Sequence, residues 1–140
     1  FIKRPNYYLN KKINKLNLKN SKFKKKHIFC TLLLSDEKEI KYLNKKFRKK
    51  NKSTDILSFP FQTKNELEKK LKSEKEIYLG DIIINLNKIK IKNIKTSFNQ
   101  EFDRLWIHGL LHLFGFKHKR DKDFEKMDRM EKKYFDLVND

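Results

Sequence analysis

Three histidines lie within eleven residues near the C-terminal end of the chain: His108, His112 and His118. On an α-helix, positions i and i+4 lie one turn apart on the same face, so the imidazoles of His108 and His112 can point at one place. Gly115 can adopt the left-handed conformation that ends a helix, and the following turn could return His118 to the other two. Three imidazoles leave a fourth tetrahedral position for water, as in catalytic zinc sites. The spacing therefore predicts one divalent ion, with zinc as first choice, bound by these residues.

A core position is the simpler interpretation of any single histidine in this segment. The neighbouring residues are apolar on nearly every face, so the helix is expected to be buried. Buried imidazoles need hydrogen bonds or a metal, because leaving a polar group without a partner costs about 1–3 kcal/mol. Three of the chain's four histidines occur here, and this concentration favours the metal.

The segment HGLLHLFGFKH resembles the HGxLHLxGYDH signature of the YbeY family, metal-dependent bacterial endoribonucleases of ribosomal RNA maturation. Two further segments agree, in the same order. Residues 43–48 and 53–61 are similar to the family's LNxxYR and PTDVLSFPF, and residues 79–84 match its LGDIxI strand. The resemblance covers roughly residues 28 to 138. One position departs from it: Lys117 stands where the family usually has an acidic residue, and a lysine there would repel a metal or attract a phosphate.

This resemblance implies a zincin-like α+β fold, in which a metal-binding helix is followed by a turn and the third ligand. It also implies a single-strand-specific endoribonuclease that acts in small-subunit rRNA 3′-end processing and ribosome quality control. The implied partners are ribosomal RNA and the ribosome or its small subunit.

Phosphodiester hydrolysis is the reaction that these residues favour. Three neutral imidazoles leave a metal its full charge, which lowers the pKa of bound water toward about 7 and polarises a phosphoryl oxygen. Arg48 is the candidate for stabilising transition-state charge, since its planar fork suits phosphate oxygens and the resemblance implies a functional arginine there. Asp55 is a lesser candidate, as an acid or base or as a side chain that orients a ligand histidine, although it could simply cap a turn.

Two other functions stay open. Metalloproteases carry a glutamate directly after the first histidine of the helix, and this chain has Gly109 there, which disfavours a zinc metallopeptidase. A basic ribosome-associated module with a structural metal would need a fourth protein ligand. The one cysteine, Cys30, is distant and is expected to be an inert, reduced strand residue. We expect structural roles for His27 and for Asp81, the latter at the turn that enters a strand.

Composition bounds the remaining possibilities. At 140 residues the chain is expected to form one domain, residues 1–140. The net charge of +18 permits binding to a polyanion such as RNA, but Lys, Asn and Ile abound and alanine is absent, as codon drift toward A and T also produces. No apolar stretch is long enough to span a membrane, so a cytoplasmic protein is expected.

Hydrophobic periodicity predicts a small mixed sheet with helices packed against it. We expect strands at 27–34, 54–61 and 77–86. The first should be buried, because it is a compact apolar run, and the second should lie at a sheet edge, because Pro60 weakens its pairing. A helix capped by Ser35 should begin at Asp36 and bury Ile40, Leu43 and Phe47. Further helices are expected from about 100 to 114 and 121 to 138. Residues 1–26 hint at an amphipathic helix, 64–76 form a charged, mobile connection that could be helical, and 88–97 stay undecided.

Overall fold

The computed structural model describes residues 26–89, 98–117 and 119–139. The amphipathic helix considered for residues 1–26 and the undecided stretch 88–97 fall almost entirely outside these ranges. The described elements are β1 (His27–Ser35), α1 (Glu37–Arg48), β2 (Ile56–Pro60), α2 (Lys64–Ser73), β3 (Glu76–Asn85), a short 3-10 turn (Leu86–Lys88), α3 (Phe98–Leu113) and α4 (Asp121–Asn139). No helix in the described ranges is long and apolar enough to cross a membrane.

The sheet has three described strands in the order β1-β3-β2. Strand β1 runs parallel to β3, and β2 runs antiparallel to it, which confirms the predicted mixed sheet and α+β class. Strand β2 lies at an edge, as expected from Pro60. Strand β1 also lies at an edge among the described strands, so the prediction of a buried strand is wrong: Ile28 is buried, but Phe29 and Leu33 are 39% and 48% exposed.

The main core lies between one face of the sheet and helices α3 and α4. Its largest fully buried members come from β3 and α3: Ile77, Leu79, Ile82, Ile84, Phe102, Trp106, Ile107, Leu110, Leu111 and Leu113. A smaller cluster on the opposite face packs α1 against the sheet through Ile40, Leu57 and Ile83. The histidine helix is therefore buried on the side that faces the sheet, as its apolar sequence predicts.

Helix α1 differs from its prediction at both ends. Its N-cap is Asp36, whose carboxylate accepts a hydrogen bond from the Glu39 backbone, and Ser35 instead donates to the Glu39 side chain at 2.7 Å. Phe47, predicted to be buried, is 59% exposed, and the buried residue in the second half of the helix is Asn44.

The charged connection between β2 and β3 contains a helix, α2. Thr63 caps it, and the Glu66 side chain accepts a hydrogen bond from the Thr63 backbone, so the two residues form a capping box. Leu67 anchors the helix in the core. The helical interpretation of this segment is therefore confirmed.

A bulge interrupts β3 at Gly80. Register shifts there, with Tyr78 opposite Phe29 and Asp81 opposite Thr31, and Gly80 has a φ of +137°. A Cβ at Gly80 would overlap the Phe59 carbonyl oxygen, so only glycine fits. Asp81 lies inside the strand, where its carboxylate accepts a hydrogen bond from the Tyr78 hydroxyl, and the prediction that it forms the turn entering the strand is wrong.

The end of β3 is joined to its surroundings by Asn85, which is completely buried. Its Nδ2 lies 3.1 Å from a Glu37 carboxylate oxygen, 3.2 Å from the Thr54 carbonyl and 3.3 Å from the Ser53 hydroxyl. Its Oδ1 accepts from the Asn87 backbone at 3.0 Å. These bonds connect the start of α1 and the segment before β2, both of which lead into the site described below.

We expect Asn85→Ala to lower the free energy of unfolding by about 1–3 kcal/mol, because it removes the hydrogen bonds of a completely buried amide and leaves three part-buried acceptors without their donor. Urea unfolding followed by circular dichroism measures this. Asn51→Ala is the control, since Asn51 is exposed and its replacement should stay within about 0.5 kcal/mol of the parent protein. Equal stability of the two variants would contradict the role assigned to Asn85.

Candidate metal and phosphate site

The two described histidines of α3 point toward each other at the C-terminal end of the helix. Their Nε2 atoms are 3.1 Å apart, and their ring planes are inclined by 81° with centroids 4.7 Å apart. Both rings are half-buried. The one-turn spacing of His108 and His112 thus brings two ring nitrogens to one place, as predicted.

A hydrogen bond to each Nδ1 orients both rings. The Glu131 carboxylate on α4 contacts Nδ1 of His108, and the Phe116 carbonyl lies 2.9 Å from Nδ1 of His112. A carbonyl oxygen only accepts, so Nδ1 of His112 must carry the proton, and an ionised carboxylate requires the same of His108. In the neutral rings each Nε2 then bears a lone pair.

These two lone pairs fit a bound cation. At 3.1 Å they repel each other unless a proton or a metal ion lies between them. Tetrahedral zinc with nitrogen ligands at about 2.0–2.1 Å places two such nitrogens about 3.3 Å apart. Hydrogen bonds to carboxylate and carbonyl oxygens through the other ring nitrogen are also the usual surroundings of metal-binding histidines.

The turn that ends α3 is a Schellman motif. The Gly115 backbone donates to His112 O and the Phe116 backbone to Leu111 O, both at 3.0 Å. Gly115 has a φ of +97°, as its predicted helix-ending role requires. The turn also carries the Phe116 carbonyl back to His112, so one backbone motif ends the helix and fixes a ring tautomer.

The third predicted ligand, His118, lies outside the described residues. Within the described ranges, no group of three or more His, Cys, Asp and Glu side chains is arranged to hold a metal ion. The pair on α3 is therefore the part of the predicted ligand set whose geometry is known, and binding by all three histidines stays a prediction.

A cleft of about 900 Å³ passes over this pair. It follows the edge of β2, with the end of α1 on one side and the end of α3 on the other. Among the described residues that line it, Asp55 is the one carboxylate residue. Six are cationic: Arg48, Lys50, Lys52, Lys64, Lys117 and Lys119. The cleft is therefore suited to a polyanion.

Arg48 is held at the wall formed by α1. Its Nη2 donates to the Ser58 carbonyl, and its guanidinium carbon lies 5.5 Å from the centroid of the Phe59 ring. Helix α1 ends at Arg48, and the next residue, Lys49, caps it with a left-handed φ of 58°. The predicted phosphate-binding arginine thus lines the same cleft as His108 and His112.

Buried Asn44 holds the basic loop that follows Arg48. Its side-chain Nδ2 donates to the Lys52 carbonyl at 2.9 Å, and the backbone carbonyl of Asn44 accepts from the Lys50 backbone N–H at 3.2 Å. Lys50 and Lys52 both line the cleft. An amide side chain buried in α1 therefore fixes the backbone from which two cations extend.

Gly109 brings α3 close to the sheet. A Cβ at this position would lie 2.9 Å from Ile56 Cδ1 and 3.0 Å from both Ile82 Cγ2 and Ser58 Oγ. The Ser58 hydroxyl in turn donates to the Gly109 carbonyl at 3.3 Å. The position that carries the general base in metalloproteases is thus packed against the sheet, with no room for a carboxylate side chain.

Asp55 lines the cleft and is exposed. Its carboxylate accepts from the Thr54 hydroxyl at 3.4 Å, whereas Glu131 and Phe116 take the Nδ1 atoms of the two described histidines. The hypothesis that Asp55 orients a ligand histidine is thus not met at His108 or His112. Its role as an acid or base stays a prediction.

Sequence reasoning missed Glu131 and the Phe116 carbonyl. No local pattern marks Glu131 among the many charged residues of α4, and a carbonyl has no residue-type signal.

His27 and Cys30, which the sequence analysis also considered, have structural positions. His27 stacks on Phe29 with centroids 5.3 Å apart. Burial, followed by the charge of Asp81, raises the pKa of Cys30 to about 11. The Cys30 thiol is therefore protonated and unreactive near neutral pH, as expected.

Comparison with known proteins agrees with the sequence resemblance. A family model described as endoribonuclease YbeY matches residues 5–139. This chain belongs to the YbeY family. An endoribonuclease YbeY from Pelagibacter ubique is 48% identical over 132 residues, which are 93% of this chain and 82% of that protein. The Thermodesulfovibrio yellowstonii YbeY is 38% identical over 126 residues, or 88% of this chain and 72% of that protein.

The fold is also that of a solved structure. A Thermotoga maritima protein determined in solution matches with a TM-score of 0.59 and 28% identity, covering 95% of this chain and 82% of that one. Lys117, the residue that departs from the YbeY signature, is exposed and lines the cleft. There it adds to the cationic lining.

We expect Glu131→Ala to change the tautomer of His108. Loss of the carboxylate removes the acceptor that favours a proton on Nδ1. Nitrogen-15 NMR of histidine side chains, recorded on metal-free protein at pH 8, distinguishes the two tautomers. Glu125→Ala is the matched control, because Glu125 is exposed on the same helix and should leave the spectrum unchanged. A His108 that keeps its proton on Nδ1 in Glu131→Ala would show that Glu131 does not orient it.

Proposed function

We propose that this chain is a metal-dependent endoribonuclease that hydrolyses phosphodiester bonds in single-stranded RNA. The observation that carries the proposal is the convergence of two histidine Nε2 atoms, 3.1 Å apart, in a cleft lined by six cationic residues. The endoribonuclease YbeY relatives support the reaction class.

The metal would be held by His108 and His112 together with His118, the expected third ligand. When bound, a divalent ion such as Zn²⁺ supplies Lewis acidity and makes a water molecule acidic enough to serve as a nucleophile near neutral pH. Imidazole ligands also accept other late first-row metals, whose affinities follow the metal more than the site. Zinc is our assignment because three neutral imidazoles and an open position are its usual catalytic surroundings.

The protein's own cations would bind the RNA backbone and stabilise the charge that develops on phosphorus. Arg48 has five N–H donors, so its hydrogen bond to Ser58 O leaves further donors for phosphate oxygens. That bond and the contact with Phe59 hold the guanidinium in place, so little conformational entropy is lost when phosphate binds. Lys50, Lys52 and Lys117 supply neighbouring charge along the cleft.

Three features of the cleft disfavour the metallopeptidase alternative. Gly109 leaves no space for the glutamate that serves as general base in such enzymes. The edge of β2, where an extended peptide would add as a strand, has no N–H at Pro60 and has its Ser58 carbonyl engaged by Arg48. The cationic lining also suits phosphates better than peptide groups.

A structural metal in a non-catalytic module is disfavoured by the surroundings of the histidine pair. His108 and His112 are half-buried and line an open cleft, whereas structural zinc sites are closed by four protein ligands. Cys30, the cysteine that could have completed a closed set, belongs to β1 and packs against the main core.

The family resemblance extends this proposal to the cell. We infer action in the cytoplasm on ribosomal RNA, in small-subunit rRNA 3′-end processing and ribosome quality control, with the ribosome or its small subunit as partner. The net charge of +18 supports a nucleic-acid partner. We also infer that residues 1–140 act as one domain, since α3, α4 and the sheet share one core.

Replacing His112 with Ala should abolish stoichiometric metal binding and RNA cleavage while the protein stays folded. Metal content is measured by atomic emission, and cleavage is measured on single-stranded RNA with and without chelator. His27→Ala is the control, because His27 lies on β1 and should leave both unchanged. Full metal occupancy in His112→Ala would refute the ligand assignment. Casein incubated in parallel should remain intact, and its metal-dependent cleavage would favour the peptidase.

Arg48→Lys should lower the cleavage rate at saturating RNA almost as much as Arg48→Ala, with metal content unchanged. An ammonium group cannot reproduce the planar fork, and loss of a transition-state contact of this kind costs about 2.7–4 kcal/mol, or roughly 10²–10³-fold in rate. Lys50→Ala is the comparison, since it should mainly weaken RNA binding and lower its salt dependence by about one phosphate contact. Wild-type turnover in Arg48→Lys would reduce Arg48 to a binding cation.

A further inference from the structure

Helix α1 carries two large, exposed aromatic rings that the hydrolytic site does not use. Tyr42 and Phe47 are each 59% exposed. The Lys46 ammonium lies between them, 5.8 Å from the Tyr42 centroid and 5.3 Å from the Phe47 centroid. Exposed aromatic residues scattered singly are ordinary, but here the shared lysine joins two of them into one patch.

The patch is continuous with the cleft. Phe47 packs edge-on against Phe59, with centroids 5.6 Å apart at 69°, and the Arg48 guanidinium lies over Phe59 at 5.5 Å. Arg48 lines the cleft that contains the histidine pair. We call Tyr42, Phe47 and Phe59 the α1 platform. A chain bound at Arg48 would therefore meet the α1 platform as it leaves the cleft.

The segment that carries Tyr42 and Phe47 has charge of one sign. Residues 40–54 contain no Asp or Glu and seven cations: Lys41, Lys45, Lys46, Arg48, Lys49, Lys50 and Lys52. The acidic residues of the helix, Glu37 and Glu39, are confined to its first turn. Interleaved aromatic rings and cations are the surface that single-stranded nucleic acids use, with bases stacked on the rings and phosphates on the cations.

We propose that the α1 platform binds unpaired bases of the RNA strand whose backbone enters the cleft at Arg48. This inference rests on the proposed function for the identity of the strand. Bases in a duplex are stacked on each other and do not present their faces to a side chain. The α1 platform therefore confers a preference for single-stranded substrate that the phosphate contacts of the cleft do not provide.

The test measures binding without cleavage, in chelator, using the full chain and two fluorescent probes. One probe is a ten-nucleotide adenine RNA, and the other is an inorganic polyphosphate of similar charge that has no bases. Phe47→Leu keeps apolar volume against Phe59 but removes the ring, and Tyr42→Leu removes the second ring. Phe124→Leu is the matched control, because Phe124 is 61% exposed on α4 and is not part of the cleft lining.

We expect Phe47→Leu and Tyr42→Leu each to weaken RNA binding by roughly five-fold or more, the effect of losing one stacked base. Affinity for polyphosphate should stay within about two-fold, and the salt dependence of RNA binding should not change because no phosphate contact is removed. Lys46→Gln should weaken binding of both probes. Phe124→Leu should match the parent protein, and thermal unfolding confirms that each variant is folded.

Wild-type RNA affinity in both ring variants, or an equal loss for RNA and polyphosphate, overturns the proposal. Phosphatidylglycerol vesicles are a third probe: if Phe47→Leu reduces vesicle binding and leaves RNA binding intact, the patch faces a membrane and the proposal is wrong. If the ring variants show the base-dependent loss of binding but the protein never cleaves RNA with added metal, the proposed function is refuted and the α1 platform is supported as a base-binding surface. If the protein cleaves RNA but the ring variants show no base-dependent loss, the proposed function is supported and the α1 platform is refuted.

Discussion

The site depends on the convergence of two imidazole Nε2 atoms, which the helical spacing of the histidines and the hydrogen bonds at their Nδ1 atoms hold close together. His108 and His112 are one helical turn apart, and the acceptors at their Nδ1 atoms leave the Nε2 atoms facing each other at 3.1 Å. Glu131 on α4 and the carbonyl that follows the Schellman turn therefore determine what this end of α3 can bind. Gly109 and Gly115 then have complementary roles, since one allows the helix to approach the sheet and the other allows the chain to turn back.

Substrate contacts come from a separate group of elements. Arg48, Lys50 and Lys52 extend from the end of α1 and the loop after it, and Asn44 and Asn85 hold that backbone through buried amides. Ser58 connects the two groups, because its carbonyl accepts from Arg48 and its hydroxyl donates to Gly109 O. Changes that weaken the amide contacts therefore displace the cations and leave the histidine pair in place.

The features that depend on residues close together in the sequence were predicted correctly. The i, i+4 histidine spacing, the left-handed Gly115, the edge strand ending at Pro60 and the mixed sheet follow from periodicity and turn chemistry, and the structure agrees with them. Contacts between distant segments could not be predicted in this way. Glu131 reaches His108 across 23 positions, and the Gly80 bulge is required by the Phe59 carbonyl of a neighbouring strand, so neither has a signal in its own segment. The position of His118 lies outside what the structure describes.

The wrong prediction for Phe47 has a physical cause that bears on function. Helical periodicity places Phe47 on the same stripe as Ile40 and Leu43, but α1 ends at Arg48, beyond the part of the sheet where Ile83 and Leu57 meet the helix. Phe47 therefore touches Phe59 by its edge and leaves most of its surface in solvent. An apolar stripe that continues past the core it covers becomes an exposed surface. Here that surface begins beside Arg48. Phe47, which helical periodicity wrongly predicts to be buried, therefore lies where it can contact a strand bound at Arg48.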